Sequence, residues 1–285
     1  MPPPVCTAVV IATRNRPLEL AATVGRLRDL PERPSVVVVD NASDAGSVAP
    51  AFDDPEVEVV RLSRNLGGAA RTVGARRIAS PYVAFSDDDS WWAPGALGKA
   101  ADILDAHPSL GLVAARVLVG PRESEDPVCE AMRSSPLPPR SYLPGPPVLG
   151  FVACGAVVRR SAFLEVGGFH PHFGIGGEEE LLALDLAATG WELAYVDHIV
   201  AHHHPSPSRD PAARRRGQIR NALWSAWLRR PVGAAARATV RLVAGHPRRR
   251  EAAGALRDAL RGVRWVARER QAVPPAVERA VRMLE

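Results

Sequence analysis

Lysine is all but missing from this chain: of 36 basic residues, Lys99 alone is not an arginine. The formal net charge of +5 is modest, and the arginines thicken after residue 208, in Arg209, Arg214-Arg215-Arg216, Arg229-Arg230 and Arg248-Arg249-Arg250. A basic tail of this kind meets phosphate, acidic lipid or nucleic acid, or forms a solvated helix face. No helix-turn-helix or zinc pattern supports nucleic acid. Cysteine is scarce as well. Cys6, Cys129 and Cys154 are odd in number and widely spaced, which argues against a disulfide framework and a zinc site. Cys6 and Cys154 lie in apolar runs and read as core residues. No apolar run approaches the roughly 20 residues that cross a bilayer. Met1-Pro2-Pro3-Pro4 has neither the basic start nor the apolar stretch of a secretion signal. The expectation is a cytoplasmic protein. Trp224 and Trp227 beside Arg220, Arg229 and Arg230 permit peripheral contact with the inner membrane face.

What is present is a 46% hydrophobic fraction over 285 residues, enough for the core of one large domain or two small ones. The first third alternates strand-like and helix-like segments. Strand candidates are 5–12, 36–39, 57–62, 82–85 and 110–119. Helix candidates are 18–30, with Pro17 at its first turn, then 69–79 and 94–107. That order implies a mostly parallel sheet covered by helices on both faces. Residues 120–147 break the pattern with eight prolines, which rule out a regular helix there on this reading. A strand candidate resumes at 148–159. Ser161 can cap a short helix ending at Gly167-Gly168, and a helix at 178–189 stops at Gly190. Short extended segments follow at 191–196 and 199–202. Beyond Pro205 two amphipathic stripes appear, one on Ile219, Leu223 and Trp227, the other on Leu256, Leu260, Val263 and Ala267. The expected division is 1–119, 120–205 as the second half of the same domain, and a basic helical extension at 206–285.

Polar clusters fall at the C-terminal ends of the strand candidates, the edge where open α/β sheets bind ligands. They are Thr13-Arg14-Asn15-Arg16, Asp40-Asn41-Ala42-Ser43, Arg64-Asn65-Leu66-Gly67-Gly68 and Asp87-Asp88-Asp89. Three adjacent carboxylates repel one another unless a cation lies between them, and Mg²⁺ or Mn²⁺ suits oxygen ligands and substrate phosphates. Asp40, closing a β-branched strand, suits a hydrogen bond to a base or ribose. Gly67-Gly68 at a helix start lets a ligand approach the backbone. Singly, each cluster reads equally well as a turn or a cap; together they point to a site for a polar, phosphorylated ligand.

In this ordered set the chain resembles a family-2-type glycosyltransferase of GT-A fold. The shared features are Thr13-Arg14-Asn15-Arg16, Val38-Val39-Asp40-Asn41-Ala42-Ser43, Asn65-Leu66-Gly67 and the DxD-like Asp87-Asp88-Asp89. They continue through Gly155-Ala156, Gly167-Gly168-Phe169 and Gly176-Gly177-Glu178-Glu179-Glu180, so the likeness covers roughly residues 5–205. The resemblance implies a nucleotide-diphosphate sugar donor. Asp40 would contact the base, with Thr13, Arg14, Asn15, Asn65, Gly67 and Asp88 beside the donor. Asp87 and Asp89 would hold Mg²⁺ or Mn²⁺ on the diphosphate. The carboxylate cluster at 178–180 would supply the base that deprotonates an acceptor hydroxyl, with Glu in place of the family's commoner Asp. Counting back from Gly190 favours Glu179, with Glu178 before it, but the choice among Glu178, Glu179 and Glu180 stays open.

Further candidates complete the expected site. Within His202-His203-His204, alternation along a strand pairs His202 with His204, and His204 is the expected metal ligand. Arg220 suits bidentate contact with the diphosphate. Trp91 and Trp92 would stack on a sugar or wall the acceptor, with one of them in the core. Gly155, Glu180 and the Pro-rich 120–147 segment would complete the acceptor side. The expected reaction is inverting transfer to a glycan, a lipid-linked acceptor or a small metabolite, in bacterial polysaccharide or glycosylated-metabolite synthesis. The C-terminal helices could pair two copies of the chain. Two other readings compete. A nucleotidyltransferase usually carries a glycine-rich loop after the first strand, and Thr13–Arg16 lacks glycine. A non-catalytic basic binding module would not need carboxylates at both expected catalytic positions.

Overall fold

The computed structural model describes residues 6–47, 49–50, 52–205 and 211–285; Val5 and Arg209 lie outside them. The elements in chain order are β1 (Thr7–Thr13), α1 (Pro17–Arg28), β2 (Val36–Asp40), β3 (Val57–Arg61), α2 (Ala70–Arg77), β4 (Tyr82–Asp87) and β5 (Ser90–Trp92). Then come α3 (Ala96–Ala106), β6 (Leu110–Val119), β7 (Ser124–Glu125), α4 (Pro127–Arg133), β8 (Ala156–Arg159), α5 (Arg160–Glu165), α6 (Glu178–Ala188) and β9 (Glu192–His203). The C-terminal part is helical: α7 (Pro211–Arg229), α8 (Val232–Ala244), α9 (Arg249–Arg261), α10 (Val263–Glu269) and α11 (Pro275–Met283).

One sheet of order β3-β2-β1-β4-β8-β6-β9-β5, with β7 on β6, organises the molecule. β1, β2, β3 and β4 pair in parallel, as do β6 and β9, while β8 runs antiparallel between β4 and β6. The sheet is therefore mixed, and it continues through residue 119 without interruption. Alternating residues of β1 feed two separate cores. Ala8 and Val10 join Phe85, Phe163, Phe169 and Leu182 on one face. Val9 and Ile11 join Leu20, Trp92 and Leu97 on the other. Both faces of the sheet are covered, which is why its strands read as unbroken apolar runs.

Several boundaries differ from those expected. The Pro-rich segment does hold a helix, α4. Asp126 caps it by accepting the Val128 amide at 3.0 Å, and Pro127 stands at its first position, where its missing N–H costs nothing. The strand expected at 148–159 shrinks to β8, preceded by a 3₁₀ turn at Ala153–Gly155. Ser161 lies inside α5 and caps nothing, since Arg159 takes that position. The two segments expected at 191–202 are one strand, β9, with a bulge opposite Ala115 and Arg116. In the C-terminal helices the second stripe is rotated from its expected place. Ala252, Ala255 and Val266 are buried, while Leu260 and Val263 are 60% and 55% exposed. Inward alanines let α9 lie close to α7, and Gly262 admits the Trp224 and Trp265 rings, which leave no room for a Cβ. Among the described residues no helix is long and apolar enough to cross a membrane.

Candidate active site

The site lies at the C-terminal edge of the parallel strands, where register places Thr13 beside Asp40 and Ala12 beside Asp87. The carboxylate triplet is held by two arginines, one just before α1 and one in α2. The Arg16 guanidinium meets Asp88 at 3.0 Å and Asp89 at 2.9 Å. Buried Arg71, on α2, pairs with Asp87. Thr13 Oγ1 donates to Asp88 at 2.9 Å and Thr23 Oγ1 donates to the Asp88 carbonyl at 2.8 Å. Burial nonetheless pushes the Asp88 pKa up to about 6, with Arg16 opposing the rise. Arg16 and Arg71 answer the charge repulsion that the sequence raised, and neither had been singled out for that role.

The second group of loops is fastened by side-chain amides and backbone contacts. Both Asp40 oxygens accept backbone amides, from Ser43 at 3.0 Å and Ala49 at 3.2 Å, so this buried carboxylate shapes the loop after β2. Asn41 accepts from Leu66 N at 2.6 Å and donates to the Gly67 carbonyl at 3.0 Å, while Asn65 accepts from Gly67 N at 2.8 Å. Gly67 has φ +57°, and a Cβ there would stand 2.4 Å from the Gly174 Cα. Gly68 N donates to the Gly174 carbonyl at 2.6 Å. The glycine loop at 174–177 is thereby locked against the loop after β3. Arg14 and Asn15 stand on the exposed rim, bonded to the Ala42 carbonyl and to Asp44.

That glycine loop delivers the three glutamates into the first turn of α6, where the helix dipole favours negative charge. Their environments differ. Glu178 is 2% exposed and packs on Gly68. Burial, then the neighbouring Glu179 charge, pushes its pKa up to about 8. Glu179 is half-buried and accepts the Gly177 amide at 3.2 Å. Glu180 is exposed and lies in the field of Arg230 and Glu285. It faces the C-terminal helices, not the acceptor side where it was expected, because α6 turns roughly 100° per residue. Burial works against the charge of Arg71, but Asp87, Glu178 and Glu179 around it hold its pKa above the ordinary arginine value. Arg71 thus links the β4 carboxylates to the α6 glutamates.

The histidine expectation is corrected. Antiparallel pairing of β5 with β9 sets His203 opposite Ser90, and its Nε2 lies 3.3 Å from Asp89. His202 stacks on Trp91 at 5.4 Å and His204 meets the same ring edge-on at 4.7 Å. Alternation does pair His202 with His204, but on the far face from the aspartates. Cys154, expected as inert core, is buried with its sulfur close to Asp87 and His203. One ligand atom from each of the three residues falls within 4.8 Å of the others. Burial, reinforced by Asp87, holds the thiol pKa well above the ordinary value. Carboxylate and imidazole suit a divalent cation, whereas a thiol held neutral is a poor ligand.

Other expected members lie elsewhere. Trp92 is fully buried in the core, whereas Trp91 is half-buried with Arg26 3.7 Å from its ring centre. Gly155 is buried, and a Cβ there would meet Val117 at 2.5 Å, so it serves close packing instead of an acceptor surface. Arg220 donates to the Phe173 carbonyl at 2.7 Å and covers Trp224 at 4.5 Å, behind the glycine loop. Of the group expected to face a membrane on α7, Trp224 is buried, Arg229 pairs with Asp185 and Arg230 with Glu278, while Trp227 remains exposed.

A family model described as glycosyl transferase family 2 matches residues 8–167. The chain belongs to glycosyl transferase family 2. Within the family it is 33% identical over 230 residues to the pre-mycofactocin glycosyltransferase of Mycobacterium tuberculosis, a match covering 73% of this chain and 44% of that protein. The chain therefore spans less than half the length of that relative. It is 28% identical over 222 residues to the N-acetylglucosaminyl-diphospho-decaprenol L-rhamnosyltransferase of the same organism, covering 64% of this chain and 71% of the other. Among solved structures, the mannosyltransferase PcManGT from Pyrobaculum calidifontis, in complex with GDP-Man and Mn²⁺, superposes with a TM-score of 0.58. That match has 17% identity and covers 97% of this chain and 86% of the other, which supports the GT-A-like architecture.

Proposed function

We propose that this family 2 member transfers a sugar, with inversion, from a nucleoside-diphosphate sugar to an acceptor hydroxyl, with a divalent metal. The observation that supports the proposal is Arg71, which pairs with Asp87 at the end of β4 and lies in the field of Glu178 and Glu179 at the start of α6. A transferase of this kind needs those two groups on opposite sides of the reacting carbon: one side for the departing diphosphate, the other for the incoming hydroxyl. The solved mannosyltransferase with GDP-Man and Mn²⁺ supports the donor class and the metal.

In this reading the loops after β1, β2 and β3 hold the nucleotide, with Asp40 fixing the loop that faces the base. Asp87, Asp89 and His203 would hold the cation, with Cys154 behind them, and the cation would neutralise charge on the diphosphate. Arg16 and Arg71 orient those carboxylates. Glu179, half-buried at the mouth and held by Gly177, accepts the proton of the acceptor hydroxyl. Glu178, buried and proton-holding below about pH 8, packs against Gly68 and supports its loop. Residues 1–119 then form the donor half, 120–205 the acceptor half and 206–285 the extension. Membership of the family favours this reading over nucleotidyl transfer. The acceptor classes we favour are a lipid-linked sugar or a small metabolite, following the names of the two mycobacterial relatives.

The test is product formation from a panel of nucleotide sugars, analysed by mass spectrometry, in the wild type and Glu179→Gln. Loss of transfer by about a thousandfold with donor binding retained is expected when a positioned general base is removed. Unchanged transfer in Glu179→Gln would reject the assignment of the base.

A further inference from the structure

Helices α9 and α10 carry two interleaved stripes that run through Gly262 without a break in spacing. Ala252, Ala255, Ala259, Gly262 and Val266 point inward against α7 and the aromatic cluster around Trp224. Arg257, Leu260, Arg261, Arg264 and Arg268 recur at three- and four-residue intervals on the other side, and all are exposed. Val263 is exposed beside them. The segment 248–268 holds seven arginines against Glu251 and Asp258. Its balance of +5 equals the net charge of the whole chain, so the remaining residues sum to zero.

Glu251 meets Arg215 of α7 at 3.0 Å and Asp258 meets Arg216 of α7 at 2.7 Å, while Asp258 also meets Arg261 within the segment at 2.8 Å. Arg257 and Arg264 have no carboxylate partner among the described residues. The outward face is therefore a convex, arginine-rich surface with two branched aliphatic side chains at its centre. Nucleic-acid surfaces of comparable charge use a groove and exposed aromatic rings for stacking. Here the one ring of α10, Trp265, is turned inward onto His170 at 5.0 Å and His172 at 4.5 Å. Guanidinium groups around inserting aliphatic side chains complement a bilayer that carries phosphate headgroups.

We propose that the α9–α10 face docks on an anionic lipid bilayer, Leu260 and Val263 entering the headgroup boundary and the surrounding arginines meeting phosphates. This surface is distinct from the Trp224–Arg230 group of α7 and stands independently of the sugar-transfer reaction. On its inner side α10 packs on the 169–173 segment that leads to Gly174 and α6. Docking would thus set the glycine loop about one helix diameter, roughly 10 Å, from the bilayer surface.

The test is co-sedimentation of the full chain with vesicles of phosphatidylcholine alone and of equal parts phosphatidylcholine and phosphatidylglycerol. The chain is expected to pellet only with the phosphatidylglycerol vesicles, and less so as salt rises. A triple Arg257→Gln, Arg261→Gln, Arg264→Gln variant should partition about a hundredfold more weakly. Leu260→Ser with Val263→Ser should remove the residual binding at high salt. All of these residues are exposed, so the variants should melt like the wild type, and a melting curve checks that they do. The proposal is overturned if the wild type ignores anionic vesicles, if the folded triple variant binds them as well as the wild type, or if single-stranded RNA is retained where vesicles are not.

Discussion

Asn221 of α7, fully buried, donates its side-chain amide to the Gly176 carbonyl at 2.6 Å and to the Phe173 carbonyl at 2.8 Å. One side chain of the C-terminal helical region thereby fixes both ends of the loop that precedes α6. Asn221→Ala removes the donor to the Gly176 carbonyl, while Arg220 still donates to the Phe173 carbonyl, at a cost of about 1–3 kcal/mol. The expected outcome is a melting temperature lowered by several degrees and a transfer rate lowered beyond the unfolded fraction. Activity measured well below the melting temperature separates the two effects.

Gly67 sits where no other residue fits. With φ +57° and the Gly174 backbone in the way, Gly67→Ala must part the loop after β3 from the glycine loop. A loss of about 2 kcal/mol in stability is expected, together with loss of the stabilisation that a nucleoside diphosphate gives the wild type. Gly25→Ala is the control: it lies in α1 with no atom within 4 Å of the added methyl, and should be neutral or slightly stabilising.

Buried Glu178 makes stability depend on pH in a stated direction. Its folded pKa of about 8 lies above the ordinary carboxylate value, so the folded state keeps a proton that the unfolded chain has already released. Stability falls as pH rises from the unfolded value toward 8 and levels off beyond it. Asp88 acts in the same direction over a narrower window ending near 6. Glu178→Gln should therefore flatten the decline between those two pH values. Thermal unfolding of the apo protein across the range reads it, and parallel wild-type and variant profiles would contradict it.

His203 and His204 are consecutive but project to opposite sides, His203 toward Asp89 and His204 onto Trp91. His203→Ala should weaken Mn²⁺ binding about tenfold or more, and His204→Ala should leave it within a factor of about two. Cobalt offers a second readout. With Co²⁺ at the site, a d–d absorption band is expected that His203→Ala weakens and Cys154→Ser leaves in place. Isothermal titration and absorption spectra decide both points.

The sheet was legible in the sequence because each parallel strand is a short β-branched or apolar run ending in polar residues, as Val36–Asp40 and Tyr82–Asp87 show. The site edge was legible for the same reason. What the sequence hid depends on three-dimensional phase. Helix α4 escaped because proline density outweighed the Asp126-Pro127 start signal. His203 escaped because alternation says which residues share a face, not which face meets the aspartates. Arg16 and Arg71 escaped because a bare carboxylate triplet suggests a metal before it suggests guanidinium groups from the start of α1 and from α2. The C-terminal phase was misjudged because exposed Leu260 and Val263 outscore the inward alanines by hydrophobicity, while close helix packing favours alanine.

The most direct test of the account is thermal stability across a panel of nucleoside diphosphates and their sugars, each with Mn²⁺, Mg²⁺ or a chelator. Binding to the native state alone raises the melting temperature by mass action, by about 2.7 kcal/mol of stability at a hundredfold excess over the dissociation constant. The account expects stabilisation by one nucleotide class, abolished by the chelator and by Asp89→Ala. No shift with any nucleotide, or a shift indifferent to both chelator and Asp89→Ala, would contradict a metal-dependent donor site at the end of β4.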